Sequence, residues 1–446
     1  MLAILPRTVA ADDAFRPVSF VRDVAPILIK HCQACHGPKT AESNYRLDSF
    51  DWLMKAGDFG EPPITPGTPE KSKIYDLITA DDPDVRMPNN GGRLAESEIR
   101  TIAEWIQQGA KFDGASPTAP IREQVPRDIP HPKSPEVYPA PMPITAAAFT
   151  PDGNHLLVGG YHELLMWDLT SDQPPVRIGN MPERTFAIEF SPDKASLAIG
   201  GGSPGVEGEV RLIPWQNGPQ AGCDHRVLTA LEDVLFDIAF RPDGKQLATG
   251  AADGTVRVFD LAAGTERLKI NNHSNWVTGV AYSADGKSIA TASRDKTSKL
   301  FDAETGTLLL THSEPTAAVR GVAFASAGKS VINAAGNRLV VWNVEDGKLI
   351  GEMPAFDGEI YAMSVAGDFV FAAALDRTVR QFKLADRSLV RTLTLPASWA
   401  VSLARNIPSH RLAAGGSDGS ITIWDFETGG LVKQFVAIPL AAKVAK

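Results

Sequence analysis

Basic charge, cysteine and long apolar runs are all scarce in this sequence, and each scarcity excludes a class of protein. Lysine and arginine number 44 against 53 aspartates and glutamates, a net charge of −9, whereas a nucleic-acid-binding face needs an excess of basic side chains. Three cysteines are too few for a disulfide scaffold. The best apolar stretch, residues 362–375, contains Asp368 and falls short of the ~20 residues of a membrane helix. The sequence therefore predicts a globular protein with no transmembrane segment and no nucleic-acid partner.

The 446 residues exceed one ordinary core and divide by composition into several regions. Residues 1–17 contain a short apolar patch followed by small residues, a pattern typical of the end of a secretory signal, and they are predicted to be a signal-peptide remnant. The basic residues that begin a signal peptide are missing, so an ordinary terminus is the alternative. Residues 18–112 mix helical patterns with loops, residues 144–438 are short β-type segments, and residues 439–446 form a tail. Residues 113–143 contain nine prolines, which break helices and sheets, so this segment is predicted to be a semi-stiff linker that can lie along a domain surface.

Bulky residues that close a β-type run recur at regular intervals in the C-terminal region. The intervals are 46, 46, 42, 41, 40 and 42 residues, and a turn such as Pro242-Asp243-Gly244 lies upstream of several of them. Four short strands per unit of ~42 residues, repeated seven times, predict a β-propeller. Residues 431–437 are predicted to be the outer strand of the last unit, and a crossing of residues 137–142 is the alternative way of closing the ring. The recurring residues are Trp167, Ile213, Phe259, Phe301, Trp342, Phe382 and Trp424.

The fourth unit carries the clearest side-chain pattern. His273, Ser293, Asp295 and Phe301 occupy the positions where WD repeats place a histidine, a hydroxyl, an aspartate and a tryptophan that are hydrogen-bonded within one blade. The units resemble the WD-repeat family over nearly all of the C-terminal region. This resemblance implies a propeller whose faces bind protein partners.

The motif that carries chemistry is Cys32-Gln33-Ala34-Cys35-His36, the attachment signature of c-type haem. Two thiols three positions apart on one helical turn can bond to the two vinyl groups at one edge of the porphyrin, and the adjacent His36 is then directed at the iron as its proximal ligand. Apolar residues at helical spacing over residues 20–30, with Ser19 as the N-cap, predict a helix that delivers the motif.

Three other interpretations of Cys32 and Cys35 are a redox dithiol, a structural disulfide and half of a zinc site. A thioredoxin-like pair has a strand-helix context and lacks the trailing histidine. A tetrahedral zinc site needs further ligands, and residues 1–130 contain no third cysteine. The sequence therefore favours one covalent haem c as the cofactor.

A small cytochrome usually takes a methionine from a loop on the opposite haem face as its sixth iron ligand. Met87 lies 51 residues after His36, among proline and glycine residues that favour a loop, and a closing helix is predicted over residues 96–111. A buried, gap-filling methionine is the alternative for Met87. Met54 lies in an amphipathic stretch and is predicted to belong to the core, and His31 is predicted to be a surface residue.

Five short stretches of the N-terminal region belong together: CQACHGP at 32–38, YRLD at 45–48, PGTP at 66–69, RMP at 86–88 and AEWIQQGA at 103–110. On these stretches, residues 18–112 resemble the planctomycete-type cytochrome c domain. Asn89 departs from that family, in which a second proline often follows. The resemblance implies that Met87 is the distal ligand and that the domain is exported and fused to other modules. The chain is thus predicted to be a small all-α cytochrome c-like domain followed by an all-β, seven-bladed WD-type propeller.

Three functions agree with these features. The patterns favour an exported electron carrier over a self-contained enzyme. The haem of this carrier meets a protein redox partner, and its propeller binds another protein. The second is a redox enzyme whose propeller holds a second cofactor or substrate, although His155, His162, His225, His273, His312 and His410 fall mostly in turns and blade edges. The third is a structural or redox-sensing module of the cell envelope. Because bacteria attach haem c outside the cytoplasm, a periplasmic or envelope location is expected, and no catalytic residue is predicted.

Overall fold

The computed structural model describes residues 17–38, 40–58, 60–89, 92–114, 116–125, 131–215, 218, 226–231, 233–313, 317–325, 328–438 and 440. The signal-peptide prediction falls on residues 1–17, of which 1–16 lie outside these ranges, as does nearly all of the predicted tail. The chain forms two compact units that divide between residues 129 and 130. No helix in the described ranges is long and apolar enough to cross a membrane.

The first unit is helical. It begins with a π-helical turn at Phe20–Val24, for which the Ser19 hydroxyl accepts a hydrogen bond from the Arg22 amide at 3.1 Å. The predicted N-cap is therefore confirmed, although the first turn is wider than an α-helix. Five α-helices follow in its described residues: α1 Ala25–His31, α2 Phe50–Leu53, α3 Lys73–Thr79, α4 Glu96–Gln107 and α5 Ile121–Gln124, with short 3-10 turns at Glu42–Asn44 and Pro69–Lys71.

Helix α4 ends four residues before the predicted closing helix would. Gly109 and Ala110 take positive φ angles of 97° and 49°, and their amides donate to the carbonyls of Ile106 and Trp105. A left-handed residue after the last turn terminates an α-helix in this way, because its amide is redirected to a carbonyl of the final turn.

One apolar core holds the helical unit together, and α5 belongs to it. The Phe20 ring packs against Trp105 with ring centroids 5.3 Å apart, and both side chains are almost fully buried. Ile121 of α5 is also fully buried, and its amide donates to the carbonyl of Asp48 at 2.8 Å. Residues 116–125, within the proline-rich segment, thus pack onto the helical unit.

The second unit is a set of antiparallel sheets, and 27 strands lie in its described residues. The strands are β1 Ala147–Phe149, β2 His155–Gly159, β3 Tyr161–Asp168, β4 Val176–Phe190, β5 Ser196–Ser203, β6 Glu207–Pro214, β7 Arg226–Leu231, β8 Leu235–Phe240, β9 Gln246–Ala251, β10 Thr255–Asp260, β11 Thr265–Asn271, β12 Val277–Tyr282, β13 Ser288–Ser293, β14 Thr297–Asp302, β15 Leu308–Ser313, β16 Val319–Ala325, β17 Ser330–Ala335, β18 Arg338–Asn343, β19 Leu349–Glu352, β20 Ile360–Ala366, β21 Phe369–Ala374, β22 Thr378–Lys383, β23 Leu389–Thr394, β24 Ala400–Asn406, β25 Arg411–Gly416, β26 Ser420–Asp425 and β27 Leu431–Val436.

These strands pair in sequence order. One sheet contains β1 to β7, and five sheets of four strands contain β8–β11, β12–β15, β16–β19, β20–β23 and β24–β27. Consecutive antiparallel strands in sets of four are the arrangement of WD-type propeller blades. Strand β27 is the outer strand of the last sheet, as the sequence predicts.

The seven recurring bulky residues fall at one equivalent place in these sheets. Each lies directly opposite an aliphatic residue of the preceding strand, which explains the regular spacing in the sequence. The pairs are Trp167–Leu156, Ile213–Leu197, Phe259–Leu247, Phe301–Ile289, Trp342–Val331, Phe382–Val370 and Trp424–Leu412.

Seven separate blades are not confirmed, because the described strands form six sheets. The reason is β4, which is 15 residues long. Its residues 176–179 pair with β3, and its residues 184–190 pair with β5. A single strand that changes partners along its length joins the first two sets of strands into one sheet.

The first and the last sheet share one apolar core, which contains Ile144, Phe149, Ile421 and Ile438. The Trp167 indole donates to the carbonyl of Ala437 at 3.1 Å. The end of the proline-rich segment runs beside this core: Tyr138 is 2% exposed, and it forms one parallel bridge with Leu440. Contacts between the two ends of the repeat region therefore join the first sheet to the last.

Candidate functional site

The two cysteines of the CxxCH motif follow the last turn of α1. The Cys32 amide donates to the carbonyl of Leu28 at 3.0 Å, and the chain then turns so that the amides of Cys35 and His36 both donate to the carbonyl of Cys32. Both thiols are free, with Cys32 partly buried and Cys35 exposed. Burial, followed by the neighbouring Cys35 and Glu98, raises the pKa of Cys32 to about 12. The turn thus presents two reduced thiols from one short segment.

The imidazole of His36 is held from one side. Its Nδ1 lies 3.2 Å from the carbonyl oxygen of Tyr45, and because a carbonyl only accepts, Nδ1 carries the proton and donates. Within the described residues, Nε2 has no hydrogen-bond partner. Metal-ligating histidines are commonly oriented by such a bond through the other ring nitrogen, which leaves a lone pair for the metal. His36 therefore fits the role of an iron ligand.

The chain segment that receives His36 is itself fixed. The Leu47 amide donates to the carbonyl of His36 at 2.8 Å, and the Tyr45 hydroxyl donates to the carbonyl of Leu53 at 3.0 Å. The Tyr45 and His36 rings meet edge to face with centroids 5.6 Å apart. Residues 45–47 are thus the segment that orients the His36 imidazole.

Met87 and Met54 occupy different environments. Met54 packs against the core of the helical unit, as the sequence predicts. Met87 is only partly buried, and it does not belong to the residues that form or flank that core in the described structure. Its amide donates to the carbonyl of Leu77 at 2.9 Å, which ties its loop to the end of α3. Met87 is thus in a loop, and its side chain is not used as core filling.

His31 lies next to the motif but points to a different partner. Its Nε2 is 3.0 Å from the carboxylate of Glu98 in α4, and its side chain is 21% exposed. Although burial opposes it, hydrogen bonds from the Ala95 amide and from His31 hold the pKa of Glu98 below its usual value. The predicted surface position of His31 is thus refined: the ring is partly exposed and paired with α4.

Two residues near the motif were missed by sequence reasoning. Gln33, between the cysteines, is 8% exposed; it donates to the Leu47 carbonyl at 3.1 Å and accepts from the Arg122 guanidinium at 2.6 Å. A Cβ at Gly37 would lie 2.5 Å from the carbonyl oxygen of Gln33, so the turn after His36 has room only for glycine. The glycine directly after the motif is a local signal from which the tight turn could have been predicted. The contact of Gln33 with Arg122 spans 89 residues and has no such signal in the sequence.

Several histidines of the second unit have ordinary structural partners. His162 Nδ1 lies 3.1 Å from the carbonyl oxygen of Met181, and His410 Nδ1 lies 3.2 Å from the carboxylate of Glu427. His273 Nδ1 lies 2.8 Å from Asp295, and its Nε2 lies 2.7 Å from the Thr291 hydroxyl. The Ser293 hydroxyl, which the sequence pattern placed in this network, accepts from the Asp295 amide at 3.0 Å and donates to the carbonyl of Asn275. The described residues contain no cluster of three or more His, Cys, Asp or Glu side chains that could hold a metal ion. His225 lies outside the described residues.

Family comparisons agree with this division of the chain. Residues 32–91 match the family model described as Planctomycete cytochrome C, a span that begins at the first cysteine of the motif and includes Met87. Residues 225–260, 264–302 and 387–425 match the model described as WD domain, G-beta repeat. The chain combines a planctomycete cytochrome C-type region with WD repeats. The predicted fusion is therefore confirmed.

Several proteins are similar to parts of this chain. Coronin-7 of Homo sapiens is 33% identical over 135 residues, which are 28% of this chain and 14% of that protein. WD repeat-containing protein SL1-17 of Schistosoma mansoni is 29% identical over 118 residues, 26% of this chain and 36% of that protein. An uncharacterized WD repeat-containing protein of Nostoc is 38% identical over 58 residues, 13% and 4% of the two chains. The chain thus spans about a third or less of the length of these relatives.

Proposed function

We propose that this protein is an exported c-type cytochrome that transfers electrons through one covalent haem c and uses its WD-repeat region to bind a protein partner. The observation that carries the proposal is the His36 imidazole, held through Nδ1 by the Tyr45 carbonyl directly after two free thiols. These are the donors that haem c requires: two thiols for attachment and one imidazole for the iron. Bound haem supplies a one-electron couple.

In this proposal, the two cysteines attach the cofactor without any change of oxidation state. Cys32 and Cys35 would hold the haem as two thioethers: each thiol would add across one vinyl group, with its sulfur bonding to one carbon and its hydrogen going to the other. Cys32 and Cys35 are both reduced and lie on one turn, as this addition needs.

Met87 is the proposed second iron ligand. Its thioether is a soft donor that raises the reduction potential of a haem relative to a second histidine. The support is its place in a loop outside the core, since a methionine that fills a core gap has no free sulfur to offer. Met54 and His31 are not proposed as ligands, because Met54 packs on the core and His31 pairs with Glu98.

The WD-repeat region is proposed to be a seven-bladed ring that serves as an interaction platform. The change of partners along β4 supports the count: residues 176–179 act as an outer strand and residues 184–190 as an inner strand. With β4 counted twice, the strands make seven sets of four, and seven residues occupy the equivalent bulky position.

Export to the periplasm or cell envelope is proposed from the chemistry of the cofactor. Thiols must meet haem in the compartment where the attachment machinery works, and in bacteria that compartment is outside the cytoplasm. The similarity of residues 32–91 to planctomycete cytochrome C supports this location.

The test is to produce the full chain behind a periplasmic leader in a host with cytochrome c maturation, and to measure its intact mass and its haemochrome spectrum. We expect one covalent haem per chain, and we expect His36→Ala to lose the low-spin spectrum. The control is His155→Ala, because His155 lies in β2 of the other unit. A wild-type chain without covalent haem would overturn the proposal. A second chromophore beside the haem would favour a redox enzyme instead.

A further inference from the structure

We infer that Arg122 is a positioning residue for the haem-attachment motif and acts through the side chain of Gln33. This inference rests on the proposed cytochrome function. Arg122 lies outside residues 32–91, the span similar to planctomycete cytochrome C, and inside the proline-rich segment that the sequence predicts to be a linker. The structure makes this part of the segment a component of the haem-binding unit.

The direct contact is short and charge-assisted. The Arg122 guanidinium donates through Nε to Oε1 of Gln33 at 2.6 Å. Gln33 is 8% exposed, and its Nε2 donates to the carbonyl of Leu47 at 3.1 Å. Both ends of the buried amide are therefore used, and a hydrogen bond from a charged donor is stronger than one between neutral groups.

From Gln33 the contacts continue to the iron-ligand candidate. The Leu47 carbonyl accepts from the side-chain amide of Gln33, and the backbone amide of Leu47 donates to the carbonyl of His36 at 2.8 Å. Two residues earlier, the carbonyl of Tyr45 accepts from His36 Nδ1. The segment that orients the imidazole is thus the one to which Gln33 is fastened. Because Gln33 lies between the cysteines, it links the attachment loop to that segment.

Arg122 can hold this loop because α5 is anchored on both sides. Ile121 is fully buried and bonded to Asp48, and the Asp51 amide donates to the carbonyl of Pro117 at 2.8 Å. The side-chain amide of Gln124 donates through Nε2 to the carbonyls of Ser116 and Ala119. A side chain on an anchored backbone loses less freedom when it binds, so its contact constrains the partner more strongly.

Loss of the guanidinium leaves the buried Gln33 oxygen without its charged donor. An unpaired buried amide group is unfavourable, so Gln33 will turn toward water and release the loop between the cysteines. The expected consequence is incomplete attachment, in which one thiol bonds to the haem and the other stays free.

The experiment compares wild type with Arg122→Ala, Gln33→Ala and the double variant, all as full chains matured with haem. The first readout is the fraction of haem-bearing chains in which Cys32 or Cys35 can still be alkylated, located by peptide mapping so that Cys223 is not counted. The second is the pH at which the methionine–iron absorption band is lost. We expect Arg122→Ala to raise the free-thiol fraction severalfold, and we expect the double variant to be no worse than Gln33→Ala. Arg100→Ala is the control, because Arg100 is exposed on α4.

A haem-independent readout separates this inference from the proposed function. In chains produced without maturation, Arg122→Ala should speed hydrogen exchange of the Leu47 amide by about tenfold, since that amide is held by the same contacts. If wild type takes up no haem but this exchange changes, the cytochrome proposal fails and the structural link stands. If wild type takes up haem and Arg122→Ala behaves like wild type in thiol content and exchange, or if the two substitutions are additive, the inference is overturned.

Discussion

Gly37 lies so close to Gln33 that a Cβ at position 37 would come within 2.5 Å of the Gln33 carbonyl oxygen. The obstacle is backbone, which cannot rotate away as a flexible side chain would. The turn that carries Cys35 and His36 is therefore closed by the contact of one backbone segment with another.

Gly37→Ala is expected to distort this turn. Overpacking of this kind costs ~1–3 kcal/mol, and here the displaced backbone belongs to the attachment motif. We expect a lower unfolding midpoint of the helical unit and less covalent haem, measured by denaturant unfolding and haemochrome yield. Gly92→Ala is the matched control, because a Cβ at that position meets no atom of the described part of the chain within 4 Å. Equal behaviour of the two variants would contradict the steric argument.

Met54 and Met87 of the helical unit should differ in the effects of their substitution. Met87→Leu is expected to abolish the methionine–iron absorption band and lower the reduction potential, with little loss of stability because Met87 lies outside the core. Met54→Leu should keep the band, since it is a nearly volume-conserving change in a core residue. Absorption spectroscopy and redox titration check both. Retention of the band in Met87→Leu would show that another residue is the ligand.

Tyr138→Phe should destabilise the strand-rich unit by ~1–3 kcal/mol, because it removes a buried hydroxyl that both donates and accepts a hydrogen bond, although Glu163 keeps its bonds from Arg177. The Tyr138 hydroxyl donates to Glu163 at 2.6 Å, and Glu163 is only 1% exposed. The same hydroxyl accepts from the Tyr161 amide at 2.9 Å. Urea unfolding measures the effect, with Tyr361→Phe as the control because that ring is 40% exposed. A loss equal to the control would mean that this end of the proline-rich segment does not stabilise the unit.

Acid should weaken the fourth repeat through Asp295. Burial opposes its ionisation, but hydrogen bonds from Thr297 and His273 outweigh that effect and lower the pKa of Asp295 to about 2. A carboxyl whose folded pKa is lowered stabilises the fold above its unfolded pKa, and this contribution disappears as the pH falls from ~4 towards 2. Burial also lowers the pKa of His273, so the fold favours the neutral ring. The unfolded chain therefore takes up this proton first, and the fold loses stability as the pH falls below about 6.5.

Asp295→Asn is therefore expected to lower the free energy of unfolding at neutral pH by about 2 kcal/mol. It should also reduce the decrease of this free energy between pH 4 and 2. Thermal unfolding at a series of pH values measures both effects. Asp357→Asn is the control, because the Asp357 side chain is 95% exposed. An unchanged pH profile in Asp295→Asn would show that other carboxyl groups control acid unfolding.

Local patterns in the sequence were sufficient for the elements and for the motif. The N-cap at Ser19, the core position of Met54 and the equivalent positions of Trp342 and Trp424 are all set by side chains close in sequence. Helical spacing, turn residues and strand alternation act over a few residues, so each repeat carries its own signal. The CxxCH motif is local for the same reason, since two thiols and an imidazole on one turn need no distant partner.

Only the tertiary structure decided which distant residues complete these local units. The pairing of β4 with two neighbours, the contact of Arg122 with Gln33 and the bond from Tyr138 to Glu163 leave no periodic trace in the sequence. Each depends on how packed elements place atoms that are far apart along the chain, and a buried polar group accepts whichever partner the packing delivers. The sequence by itself determined the repeat and the attachment motif, and packing decided how strands join into sheets and what holds the motif in place.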